Sequence, residues 1–507
     1  MLAPNYLDHA PDRLILLWQQ AEDDILRDVA RRIGKMDALT PTANWQLWRY
    51  QQTEAVRKDV VKLLARYTGK SEAEIRRLMK EAATAALEAE DEIYYHYGKE
   101  PTPFEESTPL QNLLNAGYRQ TAGSFSNLTA TTANTVSGAF EQALDRAWLQ
   151  VSSGAFDYKT AVKRAVDGLA DSMPYVTYPS GHRDTLEVAA RRAVLTGVNQ
   201  TGAKLQEARM DEMGASFVEV AAHGGARPSH AVWQGRRYHR GGAVDYLGQH
   251  YEDFESATGY GTGAGLCGWN CRHTFFVVFP ELSSPPAWTQ ESLEQLNARN
   301  IEYEGRLYTR YEISQMQRAR ERAVRKYKRR YLAEDAAGAD TTASAVKLRA
   351  ARAELADFAS RTAGRVESAR TSVHGFGRSA SSKASYAARK QERFNAANTE
   401  LQQMREAGTI KAKGRLIESP SAPNEINFAS DHVLQRWAER GMGPMDAERI
   451  IRSSKVAMSQ RNGTQTCYYS ELGFVSIGQD GNVSSIGPLD EGGKKLMEVV
   501  KKHGIPH

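Results

Sequence analysis

Apolar positions in the first two hundred residues recur three and four apart. Trp18, Ala21, Ile25, Val29 and Ile33 form one stripe, with Glu22, Asp23, Arg27 and Arg31 expected to turn outward, the pattern of an amphipathic helix. Ser71 followed by Glu74 reads as a capping-box start, and the Ala/Glu/Leu/Arg-rich stretch after it predicts a helix to about Tyr95. Pro101, Pro103 and Pro109 interrupt the pattern. Further helices are predicted over 110–120, 128–151, 157–172 and 183–213, the last ending near Gly214.

Helical periodicity stops at Phe217. Eleven glycines fall between Gly224 and Gly268, interleaved with Trp233, Tyr238, Tyr246, Tyr251, Phe254, Tyr260 and Trp269. A compact module of loops and short strands is predicted, packed by Trp233, Tyr260 and Trp269, with strands at Phe217–Val220 and Phe275–Phe279. From Thr289 to about Glu406 the pattern is again helical, with a thin stripe at Leu348, Ala351, Leu355 and Phe358 that fits an exposed helix or a coiled-coil seam. Ser372–Ser385 reads as a linker. After about Leu416 a small α+β unit is predicted: helices near Asp431–Arg440 and Asp446–Ser453, strands at Thr466–Tyr469, Gly473–Ile477 and Val483–Ile486, an Asp480-Gly481 turn, and a last helix over Glu491–His503.

The expected fold is therefore mainly α, with a small Gly/Cys/His-rich α+β middle domain and a small α+β C-terminal domain. Its regions are 1–215 (helical), 216–286 (Cys/His module), 287–414 (long helical region with a basic helix and linker) and 415–507. The length of 507 residues leaves ample room for cores, and 41% hydrophobic with 25% charged residues excludes a largely disordered chain. The longest strongly apolar run, Thr274–Phe279, is far below the ~20 residues of a spanning helix, and the first residues lack the basic-then-apolar pattern of a signal peptide. Three cysteines fit a reducing compartment. The net charge of +5 permits nucleic-acid contact without demanding it.

Cys267, Cys271 and His273 form a Cys-x3-Cys-x-His cluster, with His223 and His230 at the other end of the module as candidates for a fourth ligand. Thiolates and imidazoles are the usual zinc ligands, so zinc is the expected cofactor if these ends meet. Two other readings stand beside it: buried groups hydrogen-bonded to loop backbone, and a nucleophile–base pair of Cys271 with His230 or His273. The glycines near Thr258–Gly265 have no following Lys-Ser or Lys-Thr, so they form no P-loop. Arg227 and Arg272 are expected to satisfy loop carbonyls or carboxylates. Residues 318–330 carry eight bases and one acid, a net +7. Arg318, Arg322, Arg325, Lys326, Lys328, Arg329 and Arg330 could attract phosphate backbone, or could pair with acidic residues of a neighbour.

In the tail, His432, Arg436 and Arg440 recur at i, i+4 and i+8. An imidazole with two guanidiniums suits a metal-free ribonuclease, with Thr466, Tyr468 and Ser470 as further donors. The order of elements is weakly similar to small toxin-like ribonucleases of the barnase–colicin–RelE group. A docking domain is the other reading.

His223-Gly-Gly-Ala-Arg-Pro-Ser-His230 with Trp233-Gln234-Gly235, then Thr258-Gly259-Tyr260-Gly261, then Leu266-Cys-Gly-Trp-Asn-Cys-Arg-His273 resemble, in this order, the phage minor capsid protein 2 family. The resemblance extends upstream through Ser180-Gly181-His182 and the Ala189-Arg191-Arg192 helix and downstream through the basic helix, over roughly residues 10–335. That family is distantly similar to head-morphogenesis proteins of the Mu F type. It implies a virion protein of a tailed-phage head, assembled in the host cytoplasm, with portal protein, major capsid protein, DNA or further copies of itself as partners and no membrane. A head-associated carrier of a C-terminal ribonuclease is the competing expectation.

Overall fold

The computed structural model describes the whole chain except Met1, Ala3, 37–41, 173–174, 179–180, Ser283, 421–425, 429–430 and His507. The side chains of 4–5, Asp8, 42–44, 129–130, Ser172, Tyr175, Thr177, 431–433 and Arg436 are also outside the description. The fold is mainly helical with small sheets, in two compact units, Met1–Ser381 and Ser382–His507.

Unit 1 begins with α1 (Pro4–His9), α2 (Asp12–Gly34), α3 (Thr42–His96), α4 (Thr108–Ser152) and α5 (Tyr158–Ser172). The α2 stripe Trp18, Ala21, Ile25, Val29 and Ile33 is buried as its spacing predicts. Ser71 starts no helix. It lies buried inside the 55-residue α3, where its hydroxyl accepts the Trp18 Nε1–H at 3.0 Å and donates to Tyr67 O at 2.8 Å. One 45-residue α4 replaces the two helices expected there. Residues 121–127 stay helical because tertiary packing outweighs their weak propensity: Phe125 is buried against Trp18, ring centroids 5.3 Å apart.

A short antiparallel pair follows, β1 (Tyr175–Thr177) with β2 (Arg183–Thr185), then α6 (Leu186–Met213). Thr185 caps α6, and Gly214 ends it in the left-handed conformation (φ 62°). Helices α4 and α6 pack closely through reciprocal Gly/Thr pairs: a Cβ on Gly117 would strike the Thr201 side chain, and one on Gly197 would strike Thr121.

The middle module is a five-stranded sheet, in sequence β3 (Phe217–Val220), α7 (Pro228–Ala231), β4 (Arg237–His239), β5 (Val244–Tyr246), β6 (Gln249–Asp253), α8 (Phe254–Thr258) and β7 (Phe275–Val277). The strand order is β5-β6-β4-β3-β7, antiparallel except for β4 with β6. Its core holds Val218, Val220, Trp233, Tyr238, Phe254, Phe275 and Val277. Trp269 departs from expectation: it is 60% exposed, its indole lying against Gly263.

Next come α9 (Gln290–Asn297), the hairpin β8 (Ile301–Tyr303) with β9 (Arg306–Tyr308), α10 (Arg310–Ala336) and α11 (Thr342–Arg361). The hairpin interrupts the predicted helical run. Glu304 (φ 49°) and Gly305 (φ 74°) both take positive φ at its two-residue turn, which suits the strand twist. The thin stripe of α11 is buried and packs on α10.

The helix α12 (Arg378–Glu406), most of it in unit 2, takes up part of the predicted linker. It precedes β10 (Arg415–Glu418), α13 (Asp431–Glu439), α14 (Pro444–Ser453), β11 (Val456–Gln460), β12 (Gln465–Ser470), β13 (Gly473–Gly478), β14 (Val483–Gly487) and α15 (Glu491–Lys502). The five strands form an antiparallel meander in sequence order. Alternation divides its side chains between two cores. Val456, Met458, Cys467 and Tyr469 pack with Phe394, Leu401, Leu496 and Val500, while Ala457, Tyr468 and Val475 pack with Trp437 and Ile450.

Candidate functional site

Strand pairing brings the two ends of the middle module together. β3 and β7 run antiparallel with Val218 opposite Val277 and Val220 opposite Phe275. The chain leaving β3 therefore lies beside the chain entering β7. The first carries His223 and, on the single turn of α7, His230; the second carries Cys271 and His273.

His230, Cys271 and His273 are buried and bring their donor atoms within 4.8 Å of one another. His230 Nδ1 lies 3.4 Å from His273 Nδ1, and Cys271 Sγ lies 3.7 Å from the first and 3.6 Å from the second. The far side of each ring is fixed. His230 Nε2–H donates to the carbonyl of Ala264 at 2.9 Å. His273 Nε2–H donates to Gln234 Oε1 at 2.9 Å, an oxygen that also accepts the backbone N–H of His223 at 3.1 Å. Since a carbonyl only accepts and a backbone N–H only donates, both neutral imidazoles carry their proton on Nε2 and turn the Nδ1 lone pair towards Cys271. Asn199 on α6 holds the loop in place, its amide donating to the carbonyls of Cys271 (3.1 Å) and His273 (3.0 Å).

Burial sets the charge state. It pushes His230 down to about 4 and His273 well below the usual histidine range, while the Cys271 thiol is raised. Near neutral pH the cluster is two neutral imidazoles and a thiol, without the thiolate–imidazolium pair of a cysteine nucleophile.

Cys267 and His223 stand beside this cluster without joining the three donors. Cys267 adopts φ 58° and is buried with Phe254, Leu266 and Phe275, its thiol directed to the carbonyl of His273 at 3.6 Å. His223 packs against His273 with the rings tilted and their centroids 4.3 Å apart. Gln234 and Asn199, which orient the cluster, escaped the sequence reading. Gln234 sits in the Trp-Gln-Gly motif, but an amide four residues after a histidine carries no local signal of its role.

The cluster borders a cleft of about 910 Å³, also lined by Arg192, Arg227, Arg272, Arg318 and Trp269. Arg227 donates to the carbonyl of Trp269 at 2.7 Å and Arg272 to that of Gly225 at 3.3 Å, as expected of loop arginines.

The basic helix differs from expectation because unit 1 itself supplies the acids. Arg329 is buried and bonds Glu22 at 3.0 and 3.2 Å and Asp23 at 2.7 Å, so those two carboxylates face inward rather than to solvent. Arg325 bonds Glu187 at 2.5 Å, Arg330 pairs with Asp167, Lys326 with Asp171 at 3.1 Å, and buried Lys328 donates to Thr371 O at 2.5 Å. Of the seven candidate DNA-contacting residues, only Arg322 and Lys326 are exposed. Burial raises Glu22 to about 8 against the pull of Arg329, which suits a knot of three carboxylates (Glu22, Asp23, Glu187) and two guanidiniums (Arg325, Arg329).

In unit 2, His432 and Arg436 lie on α13, but their side chains are outside the described residues. Arg440 is exposed and donates to the carbonyl of Ile486 at 2.8 Å. Tyr468 and Ser470 are buried in the sheet.

Among the described residues no helix is long and apolar enough to cross a membrane. Unit 1 is thus a helical scaffold that neutralises its own basic helix and carries a sheet module with an enclosed donor cluster. The chain belongs to the phage minor capsid protein 2 family, whose model matches residues 2–360, and membership makes it a structural head protein of a bacteriophage virion. No curated protein and no solved structure matches the chain.

Proposed function

We propose that the chain works in assembly of a tailed-phage head, in the host cytoplasm, through protein contacts with the portal or major capsid protein and with copies of itself. The observation that carries this reading is the closure of the basic helix by Glu22, Asp23, Asp167, Asp171 and Glu187 of the same unit. A helix neutralised in this way is a structural strut. It leaves few free cations to release counterions from DNA.

Chromatography separates the protein-contact reading from a DNA-contact reading. The purified chain is expected to leave immobilised duplex DNA at low salt, and a variant with Arg322→Gln and Lys326→Gln is expected to elute at nearly the same salt. The portal protein of the same phage, immobilised, is expected to retain both. Strong, steeply salt-dependent retention on DNA that the double variant loses would overturn the reading.

A further inference from the structure

The geometry points to a zinc site in the middle module, with His230 Nδ1, His273 Nδ1 and Cys271 Sγ as its protein ligands. Two observations carry it independently. The first is the spacing of the donors. With Zn–N near 2.05 Å and Zn–S near 2.3 Å in a tetrahedron, ligand atoms sit roughly 3.3 Å apart for two nitrogens and roughly 3.6 Å apart for nitrogen and sulfur. The three edges here are 3.4, 3.6 and 3.7 Å. They form one face of such a tetrahedron.

The second observation is the tautomers. Ala264 O and Gln234 Oε1 take the Nε2 protons, so two lone pairs face each other across 3.4 Å with at most the thiol proton between them. In a buried site two acceptors aimed at one point are mutually unfavourable unless a cation or proton lies there. Carbonyl and amide oxygens behind ligating histidines are also the usual outer partners of a metal site, because they fix the ring and raise its basicity. Binding would release the thiol proton and form one Zn–S and two Zn–N bonds, with no change of oxidation state.

The three ligands come from the two ends of the module, α7 on one side and the segment before β7 on the other, so the ion ties those ends together. Three protein ligands leave a fourth position, and the cluster borders the arginine-lined cleft. Water or His223 are the candidates for it.

A nucleophile reading uses part of the same set: Cys271 as nucleophile, His273 as base, Gln234 as orienting group. The second imidazole is what favours metal, since His230 directs another acceptor at the same point and has no part in such a triad.

The test uses the full chain, expressed in zinc-replete medium and purified without chelator. Elemental analysis is expected to give one zinc per chain. Exchange of zinc for Co²⁺ is expected to produce a sulfur-to-cobalt charge-transfer band and the visible absorption of a tetrahedral ion. Cys271→Ser should abolish the charge-transfer band, His273→Ala should lower the metal content several-fold, and Cys267→Ser should leave both content and band unchanged. The wild-type cobalt spectrum does not depend on whether the variants fold. A zinc ratio near zero together with no cobalt band overturns the proposal. So does stoichiometric copper in place of zinc, a band lost in Cys267→Ser but kept in Cys271→Ser, or rapid alkylation of Cys271 at neutral pH in protein incubated with zinc.

Discussion

Replacing Arg329 with methionine is expected to lower the stability of unit 1 by about 3–5 kcal/mol, the usual cost of removing one partner from a buried ion pair. The guanidinium bridges Glu22 and Asp23 of α2 with bonds of 2.7–3.2 Å, and neither carboxylate has water to replace it. Urea unfolding of the full chain measures the loss. Adding Asp23→Asn to Arg329→Met should recover part of it, because the carboxylate that Arg329 Nε bonds is then no longer left buried without its cation. A change below about 0.5 kcal/mol, the ordinary range of surface substitutions, would mean that the knot does not hold the scaffold.

The same knot gives a pH dependence with a definite sign. Burial raises Glu22 from 4.5 to about 8 in the folded chain. Between those values the folded state holds a proton that the unfolded chain has released. This group's contribution is therefore complete below about pH 4.5 and is lost as pH rises towards 8. Glu22→Gln, which cannot titrate, should flatten that part of the stability profile.

Chelation is the second large effect. Zinc at the proposed site of His230, Cys271 and His273 would stabilise the folded state by mass action, by about 2.7 kcal/mol when free zinc stands a hundredfold above its Kd. Excess chelator is expected to lower the unfolding free energy of the wild-type chain by that order, read as a fall in its unfolding midpoint. The Cys271→Ser variant should start lower and respond little. Equal midpoints for wild type with and without chelator would contradict the site.

Local pattern carried some of this architecture. The α2 stripe, the Gly214 terminus of α6, the strand at Phe217–Val220 and the grouping of cysteines with histidines were all legible, because each depends on residues near in sequence. The motifs around His230 and His273 also carry the family resemblance, and the matched span, residues 2–360, is longer than the roughly 10–335 that the resemblance covers.

Long-range pairing was not legible. Arg329 meets Glu22 across 307 residues of sequence, and nothing local to α10 shows that its charges turn inward. Which donors converge depends on the β3–β7 register and on the turn at Cys267 (φ 58°), whose thiol goes to the carbonyl of His273 and not to the three donors. The hairpin over 301–308 has strands of three residues each, too short for a period to stand out. In the tail, β10 and β11 escaped because Arg415–Glu418 has only four residues and Val456–Gln460 directly follows the predicted helix over Asp446–Ser453.

A structural head protein is a built-in part of the particle. Quantitative mass spectrometry of purified, nuclease-treated, DNA-filled particles measures whether this chain is. A fixed ratio of the chain to portal protein, unchanged by a high-salt wash, is the expected result. Complete, infectious particles that lack the chain, with all of it left in the lysate supernatant, would contradict it.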